Sequence, residues 1–511
     1  MSQGLIKSAG KAAAWSALGS WLGLLGGLVS LVVIARLLDP SDFGLYGFVL
    51  VTLIIPETIA CNSLGEALVQ RPTLNRGHSN SIFVISMVLA AIFCLIIILF
   101  APMISAGYGH PELTPYLRVM AAGLFLGAAT AVPSGHLMRE MKFKEVALVD
   151  AAGTVVGAVV GIVLAFLWRD AWALIGMELA RRLVRMLAFS WFARWLPGIR
   201  MSLKEANDLM RFNIALTGYR LAAVAEVAIP RLLVGMFLGP AALGMFNLAL
   251  RVQEQASTAL IAPFGSVSYA IASRIHTDKE ALHRILNAGL RLAGLIAYPA
   301  LIGAIAIAPF AVPFVFGEKW VPATLAIQIS LINGLRRPST AFNGGIIKGI
   351  GRPDLLLKTF LISLLTYVLM PFAAMHSLAA VMWVLTLNRT VAWLFTCWIV
   401  QRKTDFSIYK QLAAGSSALF ASIAMALIVW GTSLYLPSGW DNVSKLMILV
   451  LIGMVTYPAC LFAIAPRMSW RYLNLLVTHG WRQISKRLNR GSTDRGTPPD
   501  DAAPASLLDV K

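Results

Sequence analysis

Leu38-Asp39-Pro40-Ser41-Asp42-Phe43-Gly44-Leu45-Tyr46-Gly47 is written again 200 residues later, as Leu238-Gly239-Pro240-Ala241-Ala242-Leu243-Gly244-Met245-Phe246-Asn247. Leu38, Pro40, Gly44 and the later Leu50 recur unchanged, and Tyr46 is answered by Phe246. In both copies a hydrophobic segment ends, a proline turn follows, and a glycine opens the next hydrophobic segment. The match continues at an offset of 207: Pro56 pairs with Pro263, Arg182-Leu183-Val184 with Arg389-Thr390-Val391, and Trp191 with Trp398. A seven-residue insertion early in the eighth segment accounts for the change of offset. Six segments separate equivalent positions, so both halves have the same orientation and their symmetry axis runs along the membrane normal. A membrane chain of this plan holds its substrate between the halves, which makes transport the leading reading.

The membrane itself follows from composition. The 511 residues are 58% hydrophobic and 13% charged, about half the charge of a soluble domain. Apolar stretches of the ~20 residues needed to cross a bilayer recur along the whole length. Fourteen are expected, at about 13–35, 43–68, 81–102, 115–135, 147–168, 172–193, 212–237, 241–272, 287–312, 323–345, 357–374, 377–399, 412–434 and 444–465. Barrel strands are shorter and alternate polar with apolar residues, so the expected fold class is an all-α polytopic membrane protein. The first lobe is expected over residues 1–196 (segments 1–6), the second over 205–400 (segments 7–12), and an added pair over 411–466. In the remainder, 467–511, Trp470, Leu473, Val477, Trp481, Ile484 and Leu488 recur at helical spacing beside arginines and lysines. This reads as an amphipathic helix on the membrane surface, followed by a Pro-, Asp-, Ser- and Ala-rich disordered end.

The net charge of +19 is an orientation signal rather than a nucleic-acid site. Every second loop is basic: Arg71 and Arg76; Arg139, Lys142 and Lys144; Arg194, Arg200, Lys204 and Arg211; Arg274, Lys279 and Arg284; Lys348, Arg352 and Lys358; Arg402, Lys403 and Lys410. The intervening loops hold little beyond Arg36, Arg169, Lys319 and Lys445. Positive loops mark the cytoplasmic side, so both termini are expected inside, with anionic lipid attracted to that face. The four cysteines lie far apart in apolar segments, with neither disulfide nor metal spacing. There is no phosphate-cradling Gly-x-x-x-x-Gly-Lys-Ser/Thr loop. No cofactor is expected, and no catalytic loop that would make the chain an enzyme.

Ionisable groups at membrane depth cost at least ~2.5 kcal/mol each on insertion scales and need a reason. Segment 8 places Asn247, Arg251, Glu254, Gln255 and Thr258 on one face. Segment 7 carries Asn213, Thr217, Arg220 and Arg231 in a stripe, with Glu226 facing elsewhere. Segment 10 places Asn333, Arg336, Thr340 and Asn343 on one side, with Arg337 beside them. Segment 6 bears Glu178, Arg181, Arg182 and Arg185, and segment 2 offers Glu57, Thr58, Asn62 and Glu66. Local ion pairs explain part of this; the recurrence of Arg182 as Arg389 suggests a framework role for that position. Cations exceed anions in segments 7 and 8, as suits a polyanion bound through guanidinium forks. Ser16, Gly19, Ser20, Gly23, Gly26, Gly27 and Ser30 share a face of segment 1 that either packs tightly or leaves room for a cavity.

The chain resembles the polysaccharide-exporter branch of the multidrug/oligosaccharidyl-lipid/polysaccharide flippase superfamily. The matching residues are Ala35-Arg36-Leu37-Leu38-Asp39-Pro40 with Phe43-Gly44-Leu45-Tyr46. Leu137-Met138-Arg139-Glu140-Met141-Lys142-Phe143, Phe316-Gly317-Glu318-Lys319-Trp320 and Gly349-Ile350-Gly351-Arg352 also fit. The resemblance covers about residues 1–465. It implies a bacterial inner-membrane flippase that moves an undecaprenyl-diphosphate-linked oligosaccharide by alternating opening of its lobes, working beside a polymerase and a chain-length regulator. Lipid II flippases carry basic residues in segment 1; this chain has none there before Arg36, which shifts the expected diphosphate and glycan contacts to Arg220, Arg251, Arg336, Arg337, Asn247 and Gln255. Glu57, Glu226 and Glu254 are the candidates for ion coupling. The competing readings are a drug/cation antiporter of the same superfamily, which favours an acidic cavity, and a membrane enzyme that polymerises or ligates glycans, which needs an external catalytic loop.

Overall fold

The computed structural model describes residues 23–62, 64–65, 68, 75–198, 203–261, 268, 279–350, 354–437, 439–466 and 470. Among them every regular element is helical. The first half comprises α1 (Gly23–Leu37), α2 (Pro40–Glu57, continued by a π turn, Thr58–Asn62), α3 (Arg76–Gly107), α4 (Leu113–Arg139), α5 (Phe143–Leu167) and α6 (Trp172–Ala193). The second comprises α7 (203–238), α8 (240–260), α9 (Lys279–Phe316), α10 (Thr324–Gly334), α11 (Arg337–Gly349), α12 (Asp354–Thr366), α13 (Met370–His376) and α14 (Leu378–Thr404). A short α15 (Ile408–Ala413) leads to the added pair, α16 (Ser416–Tyr435) and α17 (Asn442–Ile464), which pack on each other and on α9.

Nine helices among the described residues are long and apolar enough to cross a membrane, against fourteen expected segments. The difference has physical causes. Segment 1 is described only from Gly23, α6 is charge-bearing, and segments 7 and 8 run together as one counted span, Ala223–Leu260. Segment 10 is broken between α10 and α11, where Pro338 supplies no backbone N–H to continue the helix. Segment 11 is divided among α12, a 3₁₀ turn and α13, which opens on Pro371. Nearly the whole expected surface helix and tail lies outside the described residues. Large apolar side chains such as Leu99 and Met103 of α3 and Met454 and Val455 of α17 are exposed, as a lipid-facing surface requires.

The duplicated hairpins cross one another on the charge-poor side. A Cβ built on Gly44 would stand 1.8 Å from the Pro240 carbonyl oxygen, and one on Gly244 would stand 1.8 Å from that of Pro40. Each copy's glycine is thus the hole into which the other copy's proline turn fits. Local sequence sets up both turns. Pro40 at the first position of α2 has the φ a helix start needs, and the Asp39 N–H donates to Asp42 Oδ2 at 2.9 Å. In the second copy Gly239 takes φ +83°, a conformation that favours glycine, and lets α7 turn into α8. Below the crossing Phe48 packs against Gly235.

A second contact between the halves lies beside the first. The Trp320 indole is fully buried, donates to the Ala35 carbonyl at 2.7 Å, and meets Phe43 edge-on at 5.1 Å. Arg36 donates to the carbonyls of Phe314 and Val315, and Lys319 pairs with Asp39 at 3.3 Å. The Ala35–Pro40 and Phe316–Trp320 motifs are therefore two sides of one closure.

Because no side chain fits at the crossing, Gly44→Val is expected to cost about 3 kcal/mol or more through overpacking. A monodisperse wild-type-like profile on detergent gel filtration, with an unchanged melting temperature, would contradict this.

Candidate functional site

Beneath the crossing the halves part around three adjoining spaces of about 350, 370 and 180 Å³. The first is walled by Phe43, Tyr46 and Gly47 of α2, by Asn247, Arg251 and Glu254 of α8, and by Arg231, Arg337 and Arg389. The second shares Tyr46, Leu50, Val227, Arg231 and Arg251 with it, and adds Gly27 and Ser30 of α1 with Glu57, Glu178, Arg181 and Arg182. The third meets those four charged groups again, beside Arg185 and Arg220, and reaches Ser134 and Met138 near the basic end of α4. The small-residue face of α1 thus leaves cavity room at Gly27 and Ser30. The run of spaces begins under the closed, charge-poor side and ends towards the basic one.

Eight arginines and three glutamates line it. Their pairing differs by half. In the first half a Glu178 oxygen lies 2.7 Å from Arg181, and another contact holds Arg182 at 2.8 Å. Arg182 also reaches Glu57 at 3.0 Å, and Arg185 lies 3.1 Å from Asp150. These guanidiniums are matched where they stand, and Glu57 ties α2 to α6. In the second half Arg337 contacts Glu254 at 2.8 Å. Arg231 donates to two neutral acceptors, Asn247 Oδ1 and the Val227 carbonyl, each at 2.9 Å. Among the described residues Arg251 and Arg389 make neither hydrogen bond nor ion pair; Arg389 Nε is buried without a partner.

Such a site concentrates positive charge where water is scarce. A guanidinium there offers a rigid fork of donors, which a planar or tetrahedral oxyanion satisfies with two parallel hydrogen bonds. Among the described residues no group of histidine, cysteine and carboxylate side chains could hold a metal ion.

Of the residues named from sequence, Asn247, Arg251, Glu254 and Arg337 come together in the first space. Arg220 does not join them: it lines the third, at the far end of the run. Gln255 is displaced from the site, its amide lying against Gly27 of α1, because α8 turns that flank towards α1. Gln253, buried, takes its place on the wall. Arg336 sits behind the cavity, donating to Asn333 Oδ1. Glu57 and Glu254 are held by arginines. Glu226 is absent from the three linings, and its backbone carbonyl accepts the Tyr367 hydroxyl at 2.9 Å. Arg231, from the segment 7 stripe, and Arg389, for which the repeat suggested a framework role, also line the first space; the excess of cations over nearby carboxylates was the signal that could have found both.

Crossed halves around a cation-lined chamber at membrane depth define a polytopic membrane transporter. The profile of the family described as "Polysaccharide biosynthesis protein" matches residues 33–325, and the chain belongs to that family. It is 26% identical over 361 residues to the lipopolysaccharide biosynthesis protein WzxC of Escherichia coli (strain K12), covering 68% of this chain and 72% of that protein. It is 24% identical over 405 residues to the succinoglycan biosynthesis transport protein ExoT of Rhizobium meliloti (strain 1021), covering 78% and 82%. Its fold matches lipid II flippase MurJ in an inward closed conformation with a TM-score of 0.73 at 12% identity, over 89% of this chain and 99% of that one.

Glu178 is the hub of the first-half charges, with its side chain 6% exposed. Glu178→Gln leaves Arg181 and Arg182 short of an anion and is expected to destabilise the protein by about 3–5 kcal/mol. Thermal melting in detergent checks this; an unchanged melting temperature would refute the framework role.

Proposed function

We propose that the chain carries an undecaprenyl-diphosphate-linked oligosaccharide from the inner to the outer leaflet of the bacterial inner membrane, without chemistry of its own. The observation that carries this reading is the uncompensated positive charge of the chamber, centred on Arg251. A lipid diphosphate is a polyanion on an apolar tail. Its headgroup would seat among the guanidiniums while the tail stays in the bilayer, which is the only place its hydrocarbon is stable. The names of the relatives, which belong to lipopolysaccharide and succinoglycan biosynthesis, agree with a glycan cargo.

The charge bias of the loops supports a cytoplasmic basic side, with both termini beside it. The chamber, closed under the hairpin crossing, then faces the side where lipid-linked sugars are assembled. Release requires the crossing and the Trp320 closure to part while the basic side closes. A polymerase and a chain-length regulator of the same pathway would take up the product. A drug/cation antiporter would need anions to outnumber cations on the cavity wall, and the reverse is found. A membrane glycan polymerase would need a free acid–base group beside its substrate, whereas the chamber's carboxylates, Glu57, Glu178 and Glu254, are each paired with an arginine.

Arg251→Gln, alone or combined with Arg220→Gln, is expected to abolish polysaccharide export in a strain deleted for the gene while the variant inserts at normal levels. Wild-type export by the double variant would overturn the site assignment. For the cycle itself, cysteines placed at Asp39 and Lys319 and joined by a short thiol–thiol cross-linker should stop export, and a cleavable linker should restore it on reduction. Undiminished export with the link complete would show that this closure never opens.

A further inference from the structure

The two halves differ most where they should agree. Arg182 and Arg389 are repeat equivalents, offset by 207 residues. The same offset sets Glu178 against Leu385, and Glu57, next to the matched Pro56, against Phe264. Both carboxylates that hold Arg182 are therefore apolar residues in the second copy. Leu385 is 1% exposed, one helical turn before Arg389 on α14. The arginine was kept and its partners were not.

What surrounds Arg389 does not replace them. It lines the same space as Arg231, and the two are near enough to repel. The carboxylates within electrostatic range are Glu226 and Glu254. Glu254 is 2.8 Å from Arg337, and among the described residues Glu226 makes no hydrogen bond to Arg389. Arg231 spends its donors on the neutral Asn247 and Val227 groups. Two guanidiniums thus face one chamber at membrane depth with no anion hydrogen-bonded between them, an arrangement that is costly without a visiting counter-charge.

We propose that Arg231 and Arg389 form a seat for an oxyanion of the cargo, the second-half counterpart of the Arg182 site with its internal carboxylates replaced by the passenger's own. This rests on the chamber being the cargo site. Phosphate and carboxylate share the required chemistry: two oxygens spaced for a guanidinium fork. The source is either the lipid diphosphate or an acidic sugar of the glycan.

The test uses the full-length protein in lipid nanodiscs with two probes, undecaprenyl diphosphate and the lipid-linked oligosaccharide extracted from a strain lacking this transporter. Binding is measured for the wild type, Arg389→Gln, Arg389→Lys and Leu385→Glu. The last variant places a carboxylate one turn before Arg389, as Glu178 stands to Arg182, and should fill the seat from within. Arg389→Gln and Leu385→Glu are each expected to weaken binding by about tenfold to a hundredfold, the worth of one charge-assisted contact. Arg389→Lys, which keeps the charge and loses the fork, should lose about threefold and serves if the Gln variant fails to insert. Equal losses with both probes assign the seat to phosphate. A loss confined to the glycan-bearing probe assigns it to a carboxylate on the sugar. Wild-type affinity for both probes in all inserted variants would overturn the seat while leaving the cargo chamber standing. A wild type that binds neither probe would overturn the chamber reading and the seat with it.

Discussion

The architecture depends on a steric exchange between two backbones. Pro40 turns into the space above Gly244, and Pro240 into the space above Gly44, each closer than any side chain would allow. Close approach of this kind is how helices associate in lipid, where burying apolar side chains gains little and packing of small residues gains most. The crossing seals one side of the membrane, aims α2 and α8 down either wall of the chamber, and holds Tyr46, Asn247 and Arg251 opposite one another within about two turns of the seal. The Trp320 closure then fastens the remaining edge with an indole hydrogen bond and an ion pair.

That geometry explains how so many arginines are tolerated in a membrane protein. In the first half each costly charge has an anion at contact distance, so Arg181, Arg182 and Arg185 stiffen the framework and tie α6 to α2 and α5. In the second half the charges border a chamber and are only partly matched. The same residue type therefore has two roles, decided by whether a carboxylate stands one helical turn away. A cation-rich wall opposite a neutralised one makes the chamber electrostatically lopsided, with its excess positive charge on the α7, α8 and α14 side.

Much of this was legible in the letters. The repeat marked both proline turns and both glycines, and the structure adds that the two copies fit into one another. Helical periodicity put Asn247, Arg251 and Glu254 on one face, and all three line the first space. Gln255, at the edge of that stripe, lies against α1 instead, because which neighbour meets the edge of a stripe is a tertiary fact. Arg220 and Arg251 were both expected at the cargo site, yet Arg251 lines the first and second spaces and Arg220 the third; depth along the membrane normal depends on where each helix begins and bends. Segment 10 read as one span and is two helices, although Pro338 marked the place.

The crossing also bears on how the two copies have drifted apart. Most positions of a duplicated chain come to face different neighbours, and their letters wander independently, as Glu178 and Leu385 have done. At Pro40, Gly44, Pro240 and Gly244 each copy is the other's surroundings. A change at any of these places alters the mould and the cast together, a constraint that fits the same letters standing in both copies.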